Sequence, residues 1–149
     1  MKRKILLWVL ATFFLTAVTS ADGQQAGKVY RVGRLSGGVT SSTFSIDAIR
    51  RELRELGYVE GKNIVFELRS AEDNPERLRA LADELVRLKV DVIIAGGPND
   101  GLAAKKATQT IPVVFTDSVS DPVARGLVDS LARPGGNVTG FFTMADVLA

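Results

Sequence analysis

From residue 28 to residue 141, short apolar runs of strand type alternate with stretches whose apolar residues recur at helical spacing. That alternation leaves few folds open. Strand runs lie at 28–35 (KVYRVGRL), 64–68, 90–95 (VDVIIA), 111–116 (IPVVFT) and 137–141. Between the first two, Phe44, Ile49, Leu53 and Leu56 share one helical face over 44–56. Asp73-Asn74-Pro75-Glu76 reads as a helix start, with an Asx cap, a proline in the first turn and an acid facing the helix dipole. Leu78, Leu81, Leu85 and Leu88 then line its inner face. A short Ala-rich helix is expected over 100–108, capped by Asn99 or Asp100. A fourth helix is expected to open at Asp121-Pro122, to turn Val123, Leu127 and Leu131 inward, and to end at Arg133-Pro134-Gly135-Gly136. Strands alternating with helices imply right-handed crossovers and an α/β, doubly wound, mostly parallel five-stranded sheet. The continuous apolar run at 90–95 suits a strand covered on both faces. The expected strand order is 2-1-3-4-5, and 149 residues suffice for one such domain but not for two full ones.

The chain has no cysteine and no histidine. Disulfides, thiolate zinc sites, cysteine nucleophiles, Ser-His-Asp triads and imidazole ligands are therefore excluded. No P-loop and no nucleophile elbow is present. Residues 1–20 read as a signal peptide: Lys2, Arg3 and Lys4 form a basic n-region, 5–18 is uncharged and apolar, and small or modest side chains precede Ala21. The apolar run is about 14 residues, short of the roughly 20 needed for a spanning helix, and the alternative is an uncleaved anchor. Residues 21–27 follow as a flexible lead-in, and the mature chain is expected in the periplasm or on the extracellular side. The 19 basic and 17 acidic residues become 16 and 17 once the three leader cations are set aside. Such a body gives no electrostatic case for nucleic acid or an anionic membrane surface.

In an open parallel sheet, ligands meet the loops at the carboxyl ends of the strands. Three loops are in question. The first, 36–43, holds two glycines and the hydroxyls of Ser36, Thr40, Ser41, Ser42 and Thr43, and feeds a helix N-terminus suited to a carboxylate or phosphate. The second is Gly96-Gly97-Pro98-Asn99, where a backbone can approach a ligand closely. The third, 116–121, offers Thr116, Asp117 and Asp121. Asp121 before Pro122 is most simply a cap, whereas Asp117 has no structural duty and suits a ligand ammonium or hydroxyl. For each of the first two loops a plain capped turn is the competing reading. The candidate ligand-binding residues are thus Ser36, Thr40, Ser41, Gly97, Pro98, Asn99, Thr116, Asp117 and Asp121. Arg50, Arg54 and Arg79 are expected on helices away from the strand ends.

Several blocks resemble one family in order. They are 56–64 (LGYVEGKNI), 103–108 (AAKKAT), 111–115 (IPVVF), 121–123 (DPV) and, most specifically, 131–140 (LARPGGNVTG). Together they resemble the ABC transporter substrate-binding proteins of tryptophan/tyrosine type, over nearly the whole mature chain. The resemblance implies an exported, two-lobed, non-enzymatic protein without cofactor that delivers a small, amino-acid-like solute to a membrane permease. It implies that 28–140 is the N-terminal solute-binding lobe and that 141–149 begins a hinge. The family's proteins are about twice this length, so a truncated copy lacking the second lobe is expected. Weak self-association through the uncovered surface, including Phe141, Phe142 and Met144, is expected with it. Where the family carries Gly-Thr-Pro or similar, this chain has Gly97-Pro98-Asn99. The alternative from another class is a flavodoxin-like electron carrier with FMN phosphate in 36–43; against it, the loops after the third and fourth strands hold no aromatic. A small hydrolase is the weakest reading.

Overall fold

The computed structural model describes residues 27–38, 46–117 and 121–142. Five strands, β1 (Tyr30–Ser36), β2 (Ile64–Ser70), β3 (Val92–Ala95), β4 (Val113–Asp117) and β5 (Val138–Phe142), form one sheet in the order β2-β1-β3-β4-β5. Every pairing is parallel. Among the described residues, three helices lie between them: α1 (Ile46–Glu55), α2 (Pro75–Arg87) and α3 (Pro98–Ala107). The expected fold and strand order are both observed. None of these helices is long and apolar enough to cross a membrane.

Strand alternation divides the sheet into two unlike faces. Leu35, Ile93, Ala95, Val113, Phe115 and Val138 point to one face, where Leu78, Ala82 and Leu85 of α2 and Ala103 and Ala104 of α3 complete the core. Gly33 lets α2 approach there, since a Cβ on it would stand 3.1 Å from Leu85 Cδ2. On the other face Phe66 lies beside Val32 in register and under the Arg50 guanidinium of α1, 5.2 Å from the ring centre. Helix α1 itself has no buried residue. Two layers thus carry the fold, and α2 and α3 lie side by side on the same face. That placement brings their N-termini together at the carboxyl ends of β1 and β3.

The expected fourth helix is not formed over 121–137. Asp121 starts a single turn, with its Oδ1 accepting from Val123 N at 2.9 Å and its carbonyl from Arg125 N at 3.1 Å. Gly126 then takes a left-handed φ of +72° and redirects the chain. Leu127 and Val128 drop into the core, while Val123 and Leu131, both expected inside, are exposed. Lys105 Nζ donates to the carbonyls of Gly126 and Leu127 at 2.8 and 3.1 Å, taking acceptors that a continuing helix would have bonded. Helical spacing was present in the sequence, but Gly126 sits in the middle of it.

Candidate functional site

Helix α2 starts as its sequence demands. Asn74 has extended backbone angles, and its Oδ1 accepts from the amides of Glu76 and Arg77, both at 3.0 Å. Helix α3 starts differently. Its cap is Gly97, with no side-chain bond, and Pro98 occupies the first turn, so neither Asn99 nor Asp100 is the cap. The expected cap is corrected here for a physical reason: proline's fixed φ suits the first helical position and draws the helix two residues earlier.

The two N-termini flank a cleft of about 520 Å³. Its walls are Gly37 and Gly38 after β1, Asp73 and Asn74 after β2, and Gly97 to Asp100 after β3. Leu78 and Arg79 of α2 and Leu102, Ala103 and Lys106 of α3 line it as well. The volume falls in the usual range for small-molecule sites, roughly 300–1,000 Å³. The loop after β2 is held hard against the loop after β1: Ala71 N donates to Ser36 O at 2.8 Å and Asp73 N to Gly37 O at 2.7 Å. To make that turn, Glu72 and Asp73 both take positive φ, +52° and +63°, which side-chain-bearing residues rarely adopt.

Asp100 is the electrostatic centre of this end of the sheet. It is only 3% exposed although it lies in the first turn of α3. Burial pushes its carboxyl up to about 6, against the Gly37 amide, the nearby Arg34 charge and the Gly96 amide, which hold it down. Arg34 on β1 is itself buried, at 6% exposure, and burial lowers its pKa against the pull of Asp100. No ion pair within 4 Å joins the two among the described residues, and Asp100 Oδ2 and Arg34 Nη1 have no hydrogen-bond partner. No cluster of three or more His, Cys, Asp or Glu suited to a metal occurs among the described residues.

The nine candidate residues separate. Gly97, Pro98 and Asn99 line the cleft together. Ser36 ends β1 next to it, with its Oγ donating to Gly38 O at 2.8 Å. Thr40 and Ser41 lie outside the described residues. Thr116 is buried, and its Oγ1 donates to Ala95 O at 3.4 Å, away from the cleft walls. Asp117 ends β4. Asp121 is exposed and serves its own turn, bonding Val123 N and Ala124 N. Asp73, Leu78, Asp100 and Lys106 were not among the candidates, and Arg79, expected away from the strand ends, lines the cleft. The available signal was the strand order itself: β1 lies between β2 and β3, so the loop after β2 belongs beside the other two.

A parallel sheet of this order with a cleft at the carboxyl ends is shared by flavodoxin-like folds and by the lobes of substrate-binding proteins, and comparison with known proteins decides for the second. The chain belongs to the ABC transporter substrate-binding protein family, whose model matches residues 41–147. A tyrosine-binding protein of Clostridioides difficile is 39% identical over 90 residues, 60% of this chain and 26% of that protein. Among solved structures, a ligand-free, open substrate-binding protein with adhesive properties from Clostridium difficile superposes with a TM-score of 0.70 at 31% identity. That match covers 75% of this chain and 38% of the other. A conserved domain protein from Vibrio cholerae gives 0.66 at 36% identity, over 76% and 38% of the two chains. An ABC domain in complex with L-Trp from Streptococcus pneumonia gives 0.57 at 26% identity, over 74% and 37%. The chain therefore spans well under half the length of these relatives.

Proposed function

We propose that this chain is the N-terminal solute-binding lobe of an extracytoplasmic component of an ABC importer, binding a small amino-acid-like solute. The observation that carries the reading is the cleft between the N-termini of α2 and α3, in a chain of this family. The tyrosine-binding relative and the L-Trp complex support an amino acid as the solute class. In this reading, solute lies across Gly37, Gly97, Pro98 and Asn99, with Ser36, Thr40, Ser41 and Asp117 as further polar contacts and Thr116 and Asp121 as supports of their loops. Residues 1–20 direct export and are removed near Ala21, and a membrane permease is the partner that receives the solute. The protein does no chemistry on what it carries. One lobe gives one wall of an enclosed site, so the isolated chain binds in about the millimolar range, near −4 kcal/mol. Calorimetry of residues 21–149 against the twenty amino acids tests this. Saturable heat from aromatic amino acids is expected; none from any amino acid contradicts the solute class. Trp8 is the chain's single tryptophan and lies in the leader, so the mature protein adds no tryptophan emission when L-Trp is the titrant.

A further inference from the structure

Asp100 Oδ2 is the unpartnered buried atom whose residue lines the cleft. A carboxylate in the first turn of a helix ordinarily bonds that helix's own amides. Here the Gly37 amide, from the loop after β1, and the Gly96 amide at the end of β3 act on the carboxyl instead. A Cβ on Gly37 would stand 2.6 Å from Oδ1, so glycine is needed for the contact. The second oxygen faces Gly97: a Cβ built there would lie 3.7 Å from Oδ2, and glycine leaves that side without a side chain. The carboxylate is thus wedged between the two loops that wall the cleft, with Oδ2 buried and without a hydrogen-bond partner. Leaving a buried acceptor unpaired costs free energy in the empty protein.

We propose that Asp100 is the cleft's acceptor for a positively charged donor on the solute, an ammonium or amine, and that it selects amine over carboxylate at this wall. The inference rests on the solute-binding reading above and names the end of the solute that meets α3. In a desolvated site an uncompensated carboxylate attracts a cation and repels a second carboxylate strongly. Arg34 acts on Asp100 by charge but makes no hydrogen bond to it, so Oδ2 keeps its capacity to accept one. Oδ2 is shielded from water in the empty protein, so no solvent hydrogen bond competes for it. The other charged groups facing the cleft are Asp73 after β2, Arg79 on α2 and Lys106 on α3. The two cations come from the bodies of α2 and α3, not from the loops that hold Asp100.

Two probes that differ only in the charged end test the assignment: tyramine, an amine without a carboxylate, and 3-(4-hydroxyphenyl)propionate, the reverse. L-Tyrosine serves as the reference. At pH 7 tyramine should bind at least about tenfold tighter than the propionate, and Asp100→Asn should erase the difference. In the unaltered protein tyramine affinity should fall about tenfold from pH 7 to pH 5, as a carboxyl titrating near 6 takes up its proton. The chain has no histidine to mimic that profile. Equal or tighter binding of the propionate, or a preference that survives Asp100→Asn, overturns the inference. Should the variant not fold, the pH series decides, and a flat tyramine affinity overturns the inference. L-Tyrosine binding without any amine preference defeats this inference alone. Failure of all three probes to bind defeats the solute reading and this inference with it.

Discussion

The N-termini of α2 and α3 stand side by side on one face of the sheet, yet they are finished in opposite ways. Asn74 closes α2 with two bonds to its own first turn, and Pro75 and Glu76 complete a self-sufficient start. Gly97 leaves α3 without a side-chain cap, and the acid of its first turn is buried with its Oδ2 unpartnered. The first arrangement is what a helix needs to be stable. The second costs stability, and residues that do so in a cleft are where function is sought. The difference teaches that a helix start can be read as structural when its donors are all spent locally, and as a candidate site when they are not.

The largest expected effect separates the two ends by pH. The folded Asp100 carboxyl titrates near 6, above its ordinary value near 4. Between those values the folded state holds more protons than the unfolded one, so stability falls as pH rises through that window. The full cost is present above pH 6 and absent below pH 4, and it is on the order of 2–3 kcal/mol. Asp100→Asn should remove the slope and raise the urea midpoint at pH 7.5. Parallel pH profiles for the two proteins would mean that the carboxyl is not strained by burial.

A smaller effect is expected at the other start. Asn74→Ala removes both cap bonds and should destabilise the protein by about 1 kcal/mol, independently of pH. A loss that varied with pH between 4 and 6 would tie Asn74 to Asp100 and break the contrast. Smallest is Gly97→Ser, which supplies α3 with the hydroxyl cap it lacks. It should stabilise by only a few tenths of a kcal/mol, since the new Cβ sits at ordinary contact distance from Asp100 Oδ2. Its effect on solute should exceed its effect on stability, because the added side chain stands in the cleft wall.

The same contrast explains what the sequence made legible. The sheet and its order could be read because buried parallel strands are written as short continuous apolar runs such as 90–95, and because α2 announces itself through Asp73-Asn74-Pro75-Glu76. The turn at 121–126 was misread because the Leu127 spacing is helical and the effect of Gly126 depends on Lys105, distant in sequence, capturing the carbonyls that follow. That Gly97, Pro98 and Asn99 line the cleft follows from topology, since a loop after β3 lies at the carboxyl end of the sheet. Asp100 reads as a cap in sequence because local pattern cannot tell an acid that bonds its own helix from one held against the loop after β1. Arg79 was misplaced because its position on α2 gives a helical face but not which end of the sheet that face overlooks. Thr116 and Asp121 look like ligand residues in sequence and are spent on Ala95 and on their own turn.

In the proposed reading, solute lies between the N-termini of α2 and α3 and not beside β5, where Phe115, Pro122, Ser130 and Phe141 line a smaller cavity of about 280 Å³. Amide chemical-shift mapping of ¹⁵N-labelled protein titrated with L-tyrosine locates it directly. The account predicts saturable shifts at Gly37, Asp73, Gly97, Asn99 and Asp100, with Ser130, Leu131 and Phe141 unmoved. Shifts confined to Ser130, Leu131 and Phe141, with the α3 N-terminus silent, would contradict it.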